Sequence, residues 1–300
     1  MKKPCVLAFS VVLATLLFAF VGCAQSESPG GGTKNMTGSA QVLSNDTRVS
    51  VIDVGKGDCI LIQSGDSFGL IDSGYDDTSS DVVSYLRNQG VSHLDFLIIT
   101  HYDKDHIGGM RAIGAAFGID KVFLPSYKGS DKQYRSAMAA VDELGVPAQS
   151  VSTKQDIELG GAHLVILPSS LTYIPDANGS EGNDNDLSLV VTLACGDDSY
   201  LFAGDLEKEG IEAYLKNGLG HFDVLKVPHH GEKSGNTDDF LEDVQPKIAI
   251  VTDSADDPAE KKTLKLLNGV GADTYCTSAC GTVVVESSGT GNYSVSIDGD

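Results

Sequence analysis

The chain has 300 residues, 41% of them apolar, enough for one large domain or two small ones with a substantial core and no need of covalent staples. Its 42 acidic and 21 basic side chains give a formal charge of −21, a field that repels nucleic acid at long range, so phosphate would have to be met by a local basic rim. Its six cysteines include no CxxC pair, which argues against a thiolate zinc knuckle.

The chain opens with Lys2 and Lys3 and then an apolar stretch over residues 6–21, which reads as a secretory signal. A spanning helix is the competing reading, but roughly 20 apolar residues are usually needed for one. Phe20, Val21 and Gly22 before Cys23 resemble a bacterial lipoprotein cleavage box, in which an aliphatic residue usually stands at the position of Phe20. The expected layout is a signal over 1–22, lipid attachment at Cys23, a Gly/Ser/Pro-rich tether over 23–47 and a hydrolase domain over 48–300. The mature protein would then be membrane-anchored outside the cytoplasm, with no transmembrane domain and a charge of −23 once Lys2 and Lys3 are removed.

Short β-rich runs then alternate with helix-like segments. Strands are predicted over 49–54, 59–63, 68–71 and 94–100, with a helix over 80–89 that places Val82, Val83 and Leu86 on one face and stops at Gly90. Another helix begins near His106, followed by a strand over 121–124, a helix over 131–144 and a strand over 162–167. Residues 168–186 read as a long polar loop, and 187–194 with 200–203 as a buried hairpin. Helices over 206–216, 238–244 and 258–267 alternate with strands over 223–227 and 248–251, and three late strands lie near Thr274, Val283 and Val295. Two sets of strands, each with helices, predict an α/β fold of two sheets packed face to face with helices outside. Cys59 and Cys195 fall in apolar runs as core residues, and secretion permits a disulfide between Cys276 and Cys280.

The run THYDKDHIGG, Thr100 to Gly109, follows apolar Leu97, Ile98 and Ile99 and holds two histidines and two aspartates within six positions. Imidazole and carboxylate are the nitrogen and oxygen ligands that divalent metals accept, and His101 with Asp103, then Asp105 with His106, could serve two ions. The same residues would suit a solvated turn with Asp105 at a helix start. Further strand ends carry ligand types: Asp72 after Ile71, Asp205 after Ala203 and Gly204, and His229 with His230 after Val227 and Pro228. Lys56, Lys104, Lys226 and Lys233 lie in or beside these loops and could form the basic rim.

Six ordered motifs, IDVGKGDCILI, LIDSG, THYDKDHIGG, NDLSLVV, LFAGDLE and VLKVPHHG, resemble the metallo-β-lactamase superfamily, and within it the hydrolase domain of ComEC-type competence proteins and its secreted relatives. The resemblance implies the four-layer αββα sandwich of two mixed sheets. It also implies that His101 and Asp103 bind one metal, that Asp105, His106 and His229 bind a second, and that Asp205 bridges them, with Asn185 at a further ligand position. His230 would donate to a substrate oxygen, and Lys104 and Lys233 would contact phosphate oxygens. Asp72 would brace the metal loop, with Asp53 and Asp58 shaping the floor. The broader superfamily carries histidine at the positions of Asp103 and, nearby, Asn185. ComEC-type sequences share both replacements, which shifts the donor set toward oxygen and the preference from zinc toward manganese. Glu232 stands where relatives often have serine.

The leading expectation is a binuclear metal-dependent phosphodiesterase or nuclease acting on a small-molecule phosphodiester or nucleic acid. Two alternatives remain open: a phosphorylcholine esterase, lactonase or β-lactamase-like hydrolase of envelope compounds, and a lipid-anchored binding protein with a vestigial metal site. The leader makes its own prediction. Cys23→Ser should abolish incorporation of labelled fatty acid and move the protein from the membrane to the soluble fraction of an expressing bacterium. Unchanged labelling would remove Cys23 as the anchor.

Overall fold

The structure, a computed structural model, describes residues 46–130, 132–174, 183–216, 218 and 220–298. The expectations for the signal, Cys23 and most of the tether lie outside these residues, as do Asp131 and positions 175–182 of the long polar loop. The first half supplies β1 (Thr47–Val51), β2 (Ile60–Ser64), β3 (Ser67–Ile71), α1 (Ser79–Asn88), β4 (His93–Leu94), β5 (Phe96–Ile98), α2 (Lys104–Ile107), α3 (Met110–Ala116), β6 (Gly118–Ile119), β7 (Val122–Pro125), α4 (Lys132–Leu144) and β8 (Ala148–Val151). The second half supplies β9 (Gln155–Leu159), β10 (Ala162–Leu167), β11 (Val190–Cys195), β12 (Asp198–Phe202), α5 (Lys208–Leu215), β13 (Val224–Lys226), α6 (Thr237–Val244), β14 (Ile248–Val251), α7 (Lys261–Gly269), β15 (Asp273–Cys276), α8 (Thr277–Cys280), β16 (Thr282–Ser287) and β17 (Tyr293–Asp298).

One eight-stranded sheet runs β17-β16-β1-β2-β3-β5-β7-β8, and a seven-stranded sheet runs β15-β14-β13-β12-β11-β10-β9. Both are mixed: β1, β2, β16 and β17 pair antiparallel while β3, β5, β7 and β8 pair parallel, and the second sheet divides likewise. The chain's last two strands return to the first sheet beside β1.

Strand alternation sorts side chains into layers. On the outer face of the first sheet, Leu61, Leu70 and Leu97 pack with Val82 and Leu86 of α1, Met110 and Ile113 of α3 and Ala137 of α4. On the outer face of the second, Leu201, Leu225, Ala249 and Val251 pack with Ile211 of α5, Phe240 and Leu241 of α6 and Leu267 of α7. The alternate residues, among them Ile60, Ile62, Ile98, Tyr200, Phe202 and Ile250, are buried on the opposite faces. Thr47 Oγ1 of β1 reaches Tyr200 Oη of β12 at 3.2 Å, joining the two sheets. The architecture is therefore the αββα sandwich, with the ends of β3, β5, β12 and β13 delivering the ligand-type residues into adjoining loops.

Three strands escape the sequence reading, β6, β8 and β9. β6 is only the two residues Gly118–Ile119, and the sequences AQSV of β8 and QDIEL of β9 alternate exposed or half-buried positions along sheet edges, so none shows an apolar run. The predicted strand over 94–100 divides into β4 and β5, and the helix near His106 into α2 and α3. Cys276 ends β15, Cys280 ends α8, and no disulfide joins them. Cys59 and Cys195 are buried.

Phe240, fully buried between α6 and the second sheet, tests the outer core. Phe240→Ala should cost about 3–5 kcal/mol by urea unfolding. A loss under about 1 kcal/mol would mean that this helix layer does not pack as described.

Candidate metal centre

The loop after β5 begins at Thr100, and its geometry is set by Asp72 at the end of β3. Asp72 is fully buried in a left-handed conformation, φ 57°. Its Oδ1 accepts from Thr100 N at 2.8 Å, and its Oδ2 accepts from Thr100 Oγ1 at 2.7 Å and His106 Nδ1 at 2.8 Å. A carboxylate that only accepts fixes the proton on His106 Nδ1 and leaves Nε2 facing the site. Thr100 Oγ1 has spent its hydrogen on Asp72, so at 3.1 Å from His101 Nδ1 it accepts, and His101 likewise presents Nε2.

His230 obeys the same logic. Thr252 Oγ1 donates to Asp58 Oδ1 at 2.8 Å, so it accepts from His230 Nδ1 at 2.9 Å and the third Nε2 is turned inward. Asp58 Oδ2 in turn lies 2.5 Å from Lys226 Nζ, which also reaches Asp205 Oδ1 at 3.3 Å and donates to Gly204 O at 3.1 Å. Asp205, His230, Thr252, Asp58 and Lys226 thus form a closed buried ring.

Glycine makes the approach possible. Gly204 has φ +55°, and a Cβ there would meet Ser188 Cβ at 2.8 Å. Gly109 brings α2 so close to the β3 end that a Cβ would lie 2.2 Å from Ser73 O.

Ligand atoms of Asp105, His106, Asp205 and His230 all lie within 4.8 Å of one another. Asp205 Oδ2 is 2.8 Å from His230 Nε2 and 3.3 Å from His106 Nε2, and Asp105 Oδ2 is 3.3 Å from His230 Nε2. Yet the Nε2 atoms of His101, His106 and His230, with Asp103 Oδ1 and Asn185 Oδ1, are buried without a hydrogen bond. Each such atom costs about 1–3 kcal/mol unless something else satisfies it. Nitrogens and carboxylate oxygens that crowd together without aligning on one another are what a divalent cation between them requires, so the donor set fits a metal.

The charge balance agrees. Burial opposes ionisation of Asp105, but the imidazoles of His230 and His106 bring its carboxyl down to about 2. Burial likewise opposes the imidazolium of His230, and Asp205, with Asp105, overrides it to lift His230 to about 9. Protons on the histidines balance the acids here, and metal binding would release them.

His101 and Asp103 stand beside this group, with Nε2 to Oδ2 at 3.7 Å and the His101 and His106 rings 4.1 Å apart. Asp184, which the sequence reading missed, adjoins them. It is 3% exposed at the entry to the 3₁₀ turn Asn185–Leu187, and burial first, then the Asp103 charge, push its carboxyl to about 7. Its signal was available in the ND repeat GNDND, where only the asparagine was chosen.

Several of the expected residues stand outside this cluster. His229 and His230 both adopt left-handed backbone, φ 45° and 52°, and this turns His230 into the cluster and His229 away. His229 Nδ1 meets Glu207 Oε1 at 3.2 Å, and its Nε2 faces Asn185 Nδ2 at 3.5 Å. Asn185 Nδ2 donates to Glu207 at 3.1 Å, so Asn185, Glu207 and His229 form a separate, partly exposed group. Asp58 sits at the floor, whereas Asp53 is exposed and caps Gly55 N at 3.0 Å. No continuous basic rim exists among the four lysines. Lys226 is buried in the ring, because alternation in β13 turns it opposite to Leu225. Lys56 pairs with Glu232 and with Asp257 at 2.7 Å. Lys233 Nζ lies 3.9 Å from Asp238 and lines a cavity with α6 and α7 residues, while Lys104 Nζ stands 5.8 Å from the Tyr75 ring centroid.

An αββα sandwich that gathers histidine and aspartate at its strand ends defines a metal-dependent hydrolase. The chain belongs to the metallo-β-lactamase superfamily, whose profile matches residues 52–251. It is 29% identical to ComE operon protein 3 of Bacillus subtilis (strain 168) over 230 residues, 70% of this chain and 29% of that protein. It is 30% identical to Recombination protein 2 of Haemophilus influenzae over 210 residues, 68% of this chain and 24% of that protein. The chain thus spans under a third of these relatives, which agree with the ComEC-type character of its motifs. Among solved structures, YhfI from Bacillus subtilis superposes with a TM-score of 0.54 at 14% identity, covering 81% of this chain and all (100%) of that one. Zinc-bound PqqB from Methylobacterium extorquens gives 0.52 at 10%, covering 76% and 97%. At these identities the likeness is one of fold.

The exchange of the two histidines is open to direct measurement. After equilibrium dialysis and elemental analysis, His230→Ala should retain less manganese or zinc than His229→Ala, and Asp72→Ala should bind the metal about 10–100-fold more weakly. Equal losses in the two histidine variants would overturn the placement.

Proposed function

We propose that the protein is a two-metal phosphodiesterase of the cell envelope, carried outside the cytoplasm on a Cys23 lipid anchor and acting on a small phosphodiester or a nucleic acid strand. The observation that carries this reading is a pair of adjoining ligand groups. Asp105, His106, Asp205 and His230 form one, and His101 and Asp103, with Asp184, stand beside it. Two ions held by these groups, with Asp205 shared between them as the family resemblance implies, would be the reading's metal pair. The oxygen-rich set favours manganese over zinc.

Divalent ions held there would supply Lewis acidity, activating water and offsetting charge on attacking and leaving oxygens. The chain's own residues do the rest. Asp72, Thr100 and Thr252 hold the three imidazoles in the tautomer with Nε2 free. Against burial, His230 and His106, and then Lys226, keep Asp205 ionised, and Lys226 orients it through its Oδ1, leaving Oδ2 toward His106 and His230. We assign the substrate-oxygen contact to His229, braced by Glu207, rather than to His230. Lys104 lines a cleft of about 680 Å³ with Arg111, Lys132, Asp76 and Asp77, three cations against two acids, and would be its contact for a neighbouring phosphate, whereas Lys233 has no assigned role in the reaction. Among the described residues no helix is long and apolar enough to cross a membrane.

Manganese-loaded protein should hydrolyse a generic phosphodiester, and chelation should stop it with recovery on adding manganese. Asp105→Ala should reduce the rate to background while keeping the circular-dichroism spectrum. Metal-loaded protein that binds two ions yet leaves phosphodiesters, DNA and RNA intact would sink the reading, and cleavage of a lactone panel instead would replace it.

A further inference from the structure

A column of four tyrosines runs past the metal loop and ends at a cavity. Tyr134 of α4 packs edge-on to Tyr102, with centroids 5.0 Å apart, and Tyr102 packs edge-on to Tyr127, also at 5.0 Å. Tyr127 then stacks on Tyr173 at 5.2 Å with the planes 18° apart. Tyr102 is the residue between His101 and Asp103, and it is fixed at both ends: its hydroxyl donates to Pro125 O at 3.0 Å, and its backbone N–H donates to Tyr127 Oη at 3.3 Å.

The cavity beyond Tyr127 and Tyr173 measures about 330 Å³. Val151 and Leu171 line it, with Leu187 and Leu189, and no described lining residue carries a charge. In a protein of net charge −21, whose Lys104 cleft holds the cations Arg111 and Lys132 together with the acids Asp76 and Asp77, a recess whose described lining is uncharged is selective in itself. Its distance from the metal loop is short in bonds. Leu187 and Leu189 flank Ser188, whose Oγ lies 3.4 Å from His101 Nδ1 and accepts from Asp205 N at 3.1 Å. Tyr127 also feels the charges of Asp184 and Asp103, which add to burial in raising its phenol.

Building on the phosphodiesterase reading, we propose that this recess is a subsite for one nucleobase attached to the phosphate being cut. Three properties select that occupant. Its volume lies at the lower end of the range for small-molecule sites and is too small for a duplex or a peptide helix. Its Tyr127–Tyr173 pair offers a π-face on which a base stacks regardless of its identity. The absence of charge among its described lining residues suits a neutral ring rather than a second phosphate. The phosphate therefore faces Asp205 and its neighbours while one base enters the recess, and the Lys104 cleft is left for the continuing backbone. The substrate class is a nucleotidyl ester, read at one base without sequence preference.

The test uses the manganese-loaded protein and two substrates of equal charge, a thymidine 5′-phosphate p-nitrophenyl ester and its abasic deoxyribose counterpart. The base-bearing ester should be favoured in kcat/KM about ten-fold, within the range that one stacked base supplies. Tyr173→Ala should collapse that ratio toward one, and Tyr173→Phe, which keeps the ring, should preserve it. Leu171→Trp, filling the recess from another side, should also collapse it if Tyr173→Ala proves unstable. A ratio near one in the wild-type protein, or one unchanged by both Tyr173→Ala and Leu171→Trp, overturns the subsite. Calorimetric titration with thymidine, which carries no phosphate, separates the two readings. Thymidine binding that is lost in Tyr173→Ala, without ester hydrolysis, would keep the subsite and remove the phosphodiesterase. Hydrolysis of both esters at equal rates without thymidine binding would do the reverse.

Discussion

A lysine ammonium buried between two β-sheets has to be neutralised by partners that cannot move away, and this constraint organises the centre of the molecule. Lys226 lies on β13 of the second sheet, and its two carboxylates come from different places: Asp58 from the loop that enters β2 of the first sheet, and Asp205 from the end of β12. The ion triad therefore ties the loops of the two sheets together at the point where ligand-type side chains converge. Desolvating three charges is costly, and such a group is a weak argument for stability. Its effect is on geometry. With Oδ1 of Asp205 held by Lys226, Oδ2 is left beside two imidazole nitrogens, and Asp58 reaches back through Thr252 to orient one of those imidazoles.

Asp72 performs the corresponding task on the other side. It satisfies Thr100 N, Thr100 Oγ1 and His106 Nδ1 at once, and so couples the backbone path of the metal loop to the tautomer of a histidine six residues into it. Three imidazoles with protons fixed on Nδ1 and three Nε2 atoms without hydrogen bonds are the product. A site prepared this way is held in readiness for a cation by groups that do not themselves touch it, which is how outer partners raise the basicity and order of metal ligands.

Most of the architecture was legible because the core strands and helices carry apolar periodicity, as in 80–89 and 162–167, and because strand ends place acids and histidines in order. What was illegible has local causes. AQSV and QDIEL lie at sheet edges with few buried positions, so alternation is weak. The choice between His229 and His230 depends on left-handed backbone at both residues, and adjacent histidines give no sequence signal for it. Lys226 was misread for a different reason. The run VLKV already implied that Lys226 points opposite to Leu225, but a lysine is ordinarily taken for a surface charge, and the acids that neutralise it lie 168 and 21 positions away.

The same separation between charge near the ions and charge at the surface bears on how a strongly acidic protein can handle an anionic ester. Lys56 is engaged by Glu232 and Asp257, and Lys226 is enclosed, so neither contributes an exposed attractive field. Long-range steering of a polyanion, which raises association rates when surfaces are complementary, is then weak or opposed. On the proposed reading, recognition would arise at contact, from the groups around Asp205 and from surfaces that do not depend on charge. The tyrosine column would answer that need, since stacking is short-ranged and insensitive to the net field. An enzyme so built would discriminate through the group attached to the phosphate more than through the number of phosphates in the chain, which favours short or single-stranded substrates over duplex.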